Sequence, residues 1–101
     1  MLTVRSMGPE GSSPDVSVVI VTHNSAGRIG QCLRSLLIAF RTVRIEVIVV
    51  DTGSLDHTLD VVREQRGSAR VLRIENRGFA AAANAGAARG RGAAFLFLNP
   101  D

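Results

Sequence analysis

The chain has 101 residues, of which 46% are hydrophobic and 21% charged, and its formal net charge is +3. These values are typical of one folded domain or part of one, and they exclude a chain that is disordered throughout. All 12 basic residues are arginine, spread along the sequence without the clustering of a nucleic-acid-binding arm, so we expect no nucleic-acid partner.

The first half of the chain opens with residues 1–14, which show no periodicity and are expected to form a flexible leader. A β-branched run at 16–21 predicts a buried strand, followed by a polar loop at 22–25. We expect Asn24 or Ser25 to cap the next helix. That helix is predicted from an apolar stripe with three-and-four spacing, made of Ile29, Cys32, Leu33, Leu36, Leu37 and Phe40.

The second predicted strand, at 45–50, is apolar almost throughout, as expected of a strand buried on both faces. Asp51 stands where it ends. We expect Ser54 to cap a helix at 55–65 by accepting from backbone N–H groups. Asp56 is expected to stabilise the amino end of the same helix.

The last part of the chain alternates apolar and polar residues at 71–75, which predicts a short strand near a sheet edge. An alanine-rich stretch at 79–89 predicts a helix, and 93–98 predicts a fourth buried strand. The alternation of strands and helices predicts an α/β fold, a Rossmann-like open parallel sheet in the order β-α-β-α-β-α-β. We expect the strand order 3-2-1-4.

Parallel strands end at the same edge of a sheet, so four polar clusters are expected to meet there. These clusters are Thr22-His23-Asn24, Asp51-Thr52-Gly53-Ser54, Asn76-Arg77-Gly78 and Asn99-Pro100-Asp101. The opposite ends of the strands, near Asp15, Arg44, Arg70 and Gly92, show no comparable grouping. The sequence therefore predicts a ligand site at the carboxyl edge.

Asp51 has two possible roles at that edge. It can accept hydrogen bonds from a ribose hydroxyl or a base N–H, or it can close its own turn onto Thr52 and Gly53. We favour the ligand role because of the topology. His23 and His57 are read as surface residues, because nothing near them in sequence orients or tunes them.

Arg77 can reach a phosphate or a base oxygen while Gly78 lets the backbone approach, but a solvated arginine fits the sequence equally well. Asp101 is an oxygen ligand suited to Mg²⁺ or Mn²⁺, which often take one or two carboxylates and complete their shell with phosphate oxygens and water. A metal-binding role for Asp101 is favoured because Asp101 is expected at the same sheet edge as Asp51. No G-x-G-x-x-G or P-loop pattern follows the first strand, which disfavours dinucleotide oxidoreductases and P-loop enzymes.

Four segments together resemble the amino-terminal half of a family 2 glycosyltransferase, a nucleotide-sugar-dependent enzyme with a GT-A fold. They are V-S-V-V-I-V-T-H-N-S (16–25), E-V-I-V-V-D-T-G-S-L-D-H-T (46–58), E-N-R-G-F-A-A-A-A-N-A-G (75–86) and F-L-F-L-N-P-D (95–101). The N-P-D ending resembles the variant of rhamnosyltransferase-like members. Within the family pattern, His23 replaces a frequent Tyr and Asn99 replaces an acidic residue.

The resemblance implies a nucleotide-diphosphate sugar as donor, transferred with metal assistance to an acceptor hydroxyl. It implies that Asp51 binds the base or ribose, that Arg77 lies near the base or phosphates, and that Asp101 meets the metal, Mg²⁺ or Mn²⁺. The full set of predicted nucleotide-sugar-binding residues is Thr22, His23, Asn24, Asp51, Ser54, Arg77, Gly78 and Asn99.

In that family the acceptor-binding half and the general base lie beyond the metal motif. We therefore expect residues 15–101 to be a truncated, donor-binding half of a GT-A domain, with weak or no transferase activity alone and no catalytic residue of its own. Expected partners are the sugar donor and, for the full-length enzyme, a glycan or lipid-linked acceptor in cell-wall or polysaccharide biosynthesis. The expected location is cytoplasmic, with peripheral contact at the inner face of the membrane left open, and the 93–98 edge is expected to allow dimerisation.

The main rival is a non-catalytic nucleotide-binding domain that works only with a partner chain. A signalling domain of flavodoxin-like topology is a third reading, and it would need an acidic pocket after the first strand and a late lysine. The sequence has Thr22-His23-Asn24 at the first position and no lysine at all, so we set this reading aside.

Overall fold

The computed structural model describes residues 13–65 and 69–100. Most of the predicted leader, as well as Asp101, lies outside these ranges. Within them no helix is both long and apolar enough to cross a membrane. The elements are strands β1 (Val16–Thr22), β2 (Ile45–Asp51), β3 (Arg70–Arg73) and β4 (Ala94–Leu98), and helices α1 (Ala26–Ala39), α2 (Thr58–Glu64) and α3 (Phe79–Ala87).

The four strands form one parallel sheet in the order β3-β2-β1-β4, which confirms the predicted fold class and strand order. β1 and β2 are the central strands, and their residues are almost all buried. Their register pairs Val16 with Ile45 and Thr22 with Asp51. The carboxyl ends of the two central strands therefore lie side by side.

Helices α1 and α2 cover one face of this sheet. The stripe predicted for α1 supplies three fully or nearly buried side chains, Ile29, Leu33 and Leu36. They form one cluster with apolar residues of the two central strands: Val18, Ile20, Ile45, Val47 and Val49. Cys32, which belongs to the predicted apolar stripe, packs at the margin of this cluster, and burial raises the pKa of its thiol. Apolar contact, with no disulfide, holds this layer in place.

Helix α3 covers the opposite face, where its small side chains allow a close approach. Ala82 is fully buried against Val19, Ile48 and Val50. A Cβ atom added at Gly86 would lie 2.4 Å from Cγ1 of Val19. Small side chains are therefore needed in α3 because the helix lies close to the sheet. The architecture is a parallel sheet between two helical layers.

The two outer strands are more exposed than the central pair. β3 is a short edge strand, as predicted from its alternating sequence. The strand predicted at 93–98 is present as β4, but its predicted burial is wrong, because Phe95 and Phe97 are 39% and 42% exposed. Their rings stack with centroids 6.2 Å apart. Among residues 13–65 and 69–100, β4 pairs only with β1, and α3 packs over the central strands, so within these ranges no strand pairs with the outer edge of β4.

A buried carboxylate also lies near the amino ends of the strands, where the sequence predicted no grouping of this kind. Glu46 is 3% exposed and accepts hydrogen bonds from the hydroxyl of Ser17 and the backbone N–H of Arg91, both at 2.5 Å. Arg70 lies 3.5 Å from its other oxygen, and Ser17 in turn accepts from the backbone N–H of Gly92 at 2.8 Å. The expectation about the amino edge is therefore wrong, because the Glu46 carboxylate receives donors that are distant in sequence.

The close packing of α3 yields a stability prediction. In Gly86→Ala the new methyl group would overlap Val19 and lie 3.0 Å from Val50, so we expect a loss of about 1–3 kcal/mol in unfolding free energy. In Gly27→Ala, on α1, the methyl group meets nothing within 4 Å, and stability should be unchanged or slightly raised. Urea unfolding followed by circular dichroism measures both, and equal midpoints for the two variants would contradict the packing argument.

Candidate functional site

Residues from all four strand ends line one pocket of about 180 Å³ at the carboxyl edge of the sheet. Its lining is contributed by the end of β1, the loops after β1, β2 and β3, the start of α3 and the residue after β4. The residues are Val21, His23, Thr52, Asn76, Gly78, Phe79 and Asn99. The predicted convergence of polar clusters is therefore found in the fold, with each cluster represented in the pocket wall.

Asp51 lies beside this pocket but does not line it. Its side chain is fully buried and accepts four hydrogen bonds, which fill the usual capacity of a carboxylate. The donors are the hydroxyl of Thr22 at 2.8 Å, the hydroxyl of Ser54 at 2.6 Å, and the backbone N–H groups of Ser54 at 2.9 Å and Gly53 at 3.2 Å. In this conformation Asp51 closes its own turn, which is the second of the two roles considered for it from the sequence. A contact with a base or ribose stays a prediction.

The charge of Asp51 depends on these hydrogen bonds. Burial alone would raise its pKa, but the donors from Ser54, Thr22 and Gly53 outweigh burial and hold the pKa below its usual value. The side chain is therefore a buried carboxylate anion at neutral pH. A buried charge is tolerated only when it is fully hydrogen-bonded, as it is here.

The loops after β1 and β2 brace each other through reciprocal hydrogen bonds. The backbone N–H of Asn24 donates to the hydroxyl of Ser54, and the backbone N–H of Leu55 donates to Oδ1 of Asn24, both at 2.8 Å. Asn24 adopts a φ of +50°, a conformation that asparagine tolerates better than most residues. Asn24 and Ser54 are thus committed to loop bracing and do not line the pocket, although both were predicted to bind the nucleotide.

The predicted helix caps are partly wrong. α2 begins at Thr58 instead of residue 55, since the amides of Ser54 and Leu55 are taken by Asp51 and Asn24. Neither α1 nor α2 has a side-chain bond from its N-cap residue, so Ser54 caps no helix and Ser25 holds the N-cap position of α1 without capping it through its hydroxyl.

Asp56 stabilises the amino end of α2, as predicted, and also accepts a hydrogen bond from the amino end of α1. It accepts from the backbone N–H of Thr58 at 3.0 Å and from that of Ala26, the first residue of α1, at 3.1 Å. The hydroxyl of Thr58 also donates to it. Hydrogen bonds from Thr58, followed by that from Ala26, hold the pKa of Asp56 below its usual value. One carboxylate therefore anchors the starts of both helices on this face.

His23 is oriented by a residue 29 positions away. Its Nδ1 lies 3.2 Å from the carbonyl oxygen of Thr52 and 3.2 Å from the hydroxyl of the same residue. That hydroxyl donates to the carbonyl oxygen of Thr22 at 3.0 Å. His23 is exposed, as expected of a surface residue. It is nevertheless oriented, because its hydrogen-bonding neighbour follows the adjacent strand and does not lie nearby in sequence.

The remaining predicted residues divide between the pocket and the surface. Gly78, with a φ of +93°, lines the pocket, as does Asn99, which directly follows β4. Arg77 does not line the pocket. Its guanidinium lies 3.1 Å from the carboxylate of Glu75 and its side chain is 74% exposed. Asp101 lies outside the described residues.

The described ranges contain no cluster of three or more histidine, cysteine or acidic side chains that could hold a metal ion. Asp101, the predicted metal ligand, lies outside these ranges, so its metal contact stays a prediction.

Four pocket residues lie outside the predicted binding set: Val21, Thr52, Asn76 and Phe79. Phe79 begins α3 and is 46% exposed. Thr52 was read only as part of a turn. The sequence contains a signal for Phe79, because an aromatic residue directly after the loop that follows a predicted strand is placed at the carboxyl edge. No local pattern indicates the contact of Thr52 with His23.

Comparison with known proteins identifies the family. Residues 17–101 match the sequence profile of Glycosyl transferase family 2. The chain belongs to this family. A curated relative, the glycosyltransferase AglE of Haloferax volcanii, is 36% identical over 93 residues, which cover 87% of this chain and 31% of the relative. The chain thus spans less than a third of the length of that family 2 relative.

Solved structures show the same fold. The structure of S. aureus TarS 1–349 superimposes with a TM-score of 0.75 and 30% identity, over 86% of this chain and 27% of that one. The mannosyltransferase PcManGT of Pyrobaculum calidifontis, solved in complex with GDP-Man and Mn²⁺, gives a TM-score of 0.56 and 31% identity, over 74% and 24% of the two chains. The parallel sheet with order 3-2-1-4 is therefore that of a family 2 GT-A glycosyltransferase.

The hydrogen bonds around Asp51 lead to a prediction on pH. Because the pKa of Asp51 is lowered in the folded state, its carboxylate stabilises the fold above about pH 4, and this contribution is lost as the pH falls through the lowered pKa. Ser54→Ala removes one donor. We therefore expect the Asp51 titration midpoint to rise and acid unfolding to begin at a higher pH.

Carbon-13 NMR of the aspartate carboxyl groups measures the midpoint, and circular dichroism measures acid unfolding. Ser35→Ala is the matched control, since Ser35 is an exposed serine on α1. An Asp51 midpoint in Ser54→Ala equal to that of the control would show that Ser54 does not stabilise the anion.

Proposed function

We propose that the pocket at the carboxyl edge binds the nucleotide of a nucleotide-diphosphate sugar, and that residues 15–101 supply the donor-binding half of a glycosyltransferase. The observation that carries this proposal is the pocket itself, which is built by residues from all four strand ends. Such a crevice at the carboxyl ends of parallel strands is the usual ligand position in open α/β sheets.

The chemistry of the pocket wall suits a nucleotide. Phe79 and Val21 offer apolar surface to a planar base, and Asn76 and Asn99 offer amide groups to its polar edge or to the ribose. Gly78 lets the ligand approach the backbone at the start of α3. We assign Thr22 and Asp51 mainly to holding the loops after β1 and β2. For Asp51 to contact a base or ribose, as predicted, one of its four protein hydrogen-bond donors would have to be replaced by a donor of the ligand.

A divalent metal, Mg²⁺ or Mn²⁺, would be held by Asp101, with Asn99 beside it and with diphosphate oxygens completing the shell. When bound, such an ion stabilises the negative charge of a departing diphosphate. The presence of Mn²⁺ with GDP-Man in the PcManGT structure supports this assignment. Arg77 lies at the same edge and would need to leave Glu75 to reach a phosphate.

In the proposed reaction the anomeric carbon of the sugar bonds to an acceptor oxygen as its bond to the diphosphate breaks. A general base must take the proton of the acceptor hydroxyl. We assign no residue of this chain to that role, so we propose that residues 1–101 bind the donor and have weak or no transferase activity alone. The proposed acceptor is a glycan or a lipid-linked sugar in cell-wall or polysaccharide synthesis, reached from the cytoplasm at the inner face of the membrane.

Donor binding is tested by isothermal titration calorimetry with UDP and GDP, each with and without Mn²⁺. We expect at least one nucleotide to bind, and to bind about tenfold more weakly without the metal, because Asp101 would help to hold Mn²⁺, whose charge would stabilise the bound diphosphate. Asp101→Asn should remove the metal dependence, while Asp60→Asn, an exposed site on α2, should keep it. Metal-independent affinity in all three proteins would favour a non-catalytic nucleotide-binding domain.

We also propose that the uncovered edge of β4 supports dimerisation between copies of this chain. Phe95 and Phe97 present apolar surface beside a strand edge that pairs with no other strand of the described residues, and such an edge is a known template for strand pairing. Sedimentation velocity should show a dimer that grows with concentration, and Phe97→Lys should reduce it. Ile38→Lys, at another exposed apolar side chain on α1, should leave it unchanged, and a monomer at all concentrations would contradict the proposal.

A further inference from the structure

A second cavity, of about 220 Å³, lies beside α1 and shares no lining residue with the pocket at the carboxyl edge. Four of its lining residues are on α1, and the fifth follows the end of β4. They are Arg28, Gln31, Cys32, Ser35 and Pro100. This cavity is therefore a separate feature of the molecule, formed between a helix and the loop after β4.

Three of the α1 side chains bring hydrogen-bond donors to the cavity. Arg28, Gln31 and Ser35 are spaced three and four positions apart, which places them along one face of the helix. A guanidinium carries five N–H donors in a planar fork, and the amide of glutamine and the hydroxyl of serine can each donate as well. The cavity thus combines one permanent cation with two neutral donors on a rigid element.

No negative charge opposes this cation in the cavity wall. Among residues 13–65 and 69–100 no acidic side chain lines the cavity, and the sequence of α1 contains none. Cys32 is a neutral thiol at neutral pH, because burial raises its pKa. Asp56, at the start of α1, does not line the cavity and accepts from the amides of Ala26 and Thr58. An anion in the cavity would therefore meet donors without a like charge among these residues.

The place of Arg28 in the helix is not explained by helix stability. Arg28 is the third residue of α1, and the first turn of this helix contains no acidic residue. The amino end of a helix carries a partial positive charge, so a cation there is unfavourable for the helix. Both charges are instead favourable for an anion beside the first turns of α1.

We propose that this cavity binds a phosphate group through Arg28, Gln31 and Ser35, at a site additional to the nucleotide pocket. A phosphate presents acceptor oxygens in several directions, which suits an arginine together with two neutral donors, whereas the guanidinium fork alone can satisfy a carboxylate. The cavity is several times larger than the roughly 30 Å³ that one water molecule occupies in the liquid. It therefore has room for a phosphate and a small attached group.

Binding is tested by titrating the whole ¹⁵N-labelled chain, without metal, with inorganic phosphate and with glycerol 3-phosphate at an ionic strength held constant with chloride. We expect saturable shifts in the proton–nitrogen correlation spectrum for the amides of residues 28–35. Shifts confined to the loops that line the first pocket would overturn the proposal. Shifts that grow without saturation would also overturn it, since they would indicate a general response to salt.

Two arginines of α1 form a matched pair for this titration. Arg28→Gln should weaken phosphate binding about tenfold, which corresponds to the loss of one charge-assisted hydrogen bond. Arg34→Gln makes the same change of charge at an exposed residue that does not line the cavity, and its affinity should stay within about twofold of the unchanged protein. An equal loss in both variants would overturn the proposal, because it would show that only the overall charge of α1 matters.

Gln31→Ala tests a neutral donor without a change of charge. We expect binding to weaken about threefold, as for one neutral hydrogen bond, and an unchanged affinity would contradict the proposed ligand set. The urea midpoint of each variant, measured by circular dichroism, separates lost binding from lost folding.

The two ligands distinguish the source of the phosphate. Tighter binding of glycerol 3-phosphate would identify an esterified phosphate, and tighter binding of inorganic phosphate would identify the free ion. Either order supports the site, whereas binding of neither ligand would overturn the proposal.

Discussion

The buried carboxylate of Asp51 is the interaction on which the candidate site depends. It collects donors from the end of β1 and from its own turn, and each donor holds a different part of the edge. Through Ser54 it is linked to Asn24, and so to the loop that carries His23. The position of the pocket wall therefore follows from the need to solvate one buried negative charge with protein groups.

The central strands carry a second pair of the same kind at their other end. Ser17 on β1 stands opposite Glu46 on β2, as Thr22 stands opposite Asp51, and in both pairs a hydroxyl donates to the carboxylate. Because the two acidic residues are five positions apart, they point to opposite faces of the sheet. Asp51 secures the loop that leads into α2, and Glu46 secures the connection from α3 to β4.

The sequence predicted the parallel sheet, its strand order and the helical stripe of α1, because these follow from local periodicity and from the geometry of crossovers. It did not predict where α2 begins, how His23 is oriented, or that Glu46 has partners. Those features depend on hydrogen bonds between residues about 30 to 45 positions apart in sequence. From local sequence, a turn residue such as Ser54 can equally well cap a helix or close a turn. Which of the two it does depends on hydrogen bonds with the loop after the neighbouring strand.

The two hydroxyl–carboxylate pairs also bear on how the chain avoids misfolding. The facing sides of β1 and β2 are otherwise nearly uniform in aliphatic residues, so apolar contact alone would distinguish poorly between alternative alignments of the two strands. A slip by one residue would turn one strand's side chains to the wrong face. A slip by two would set Glu46 opposite Val19 or Asp15, and Asp51 opposite Asn24 or Ile20. Each of these alignments separates both carboxylates from their hydroxyl donors, so Ser17 and Thr22 favour the observed alignment of the two strands.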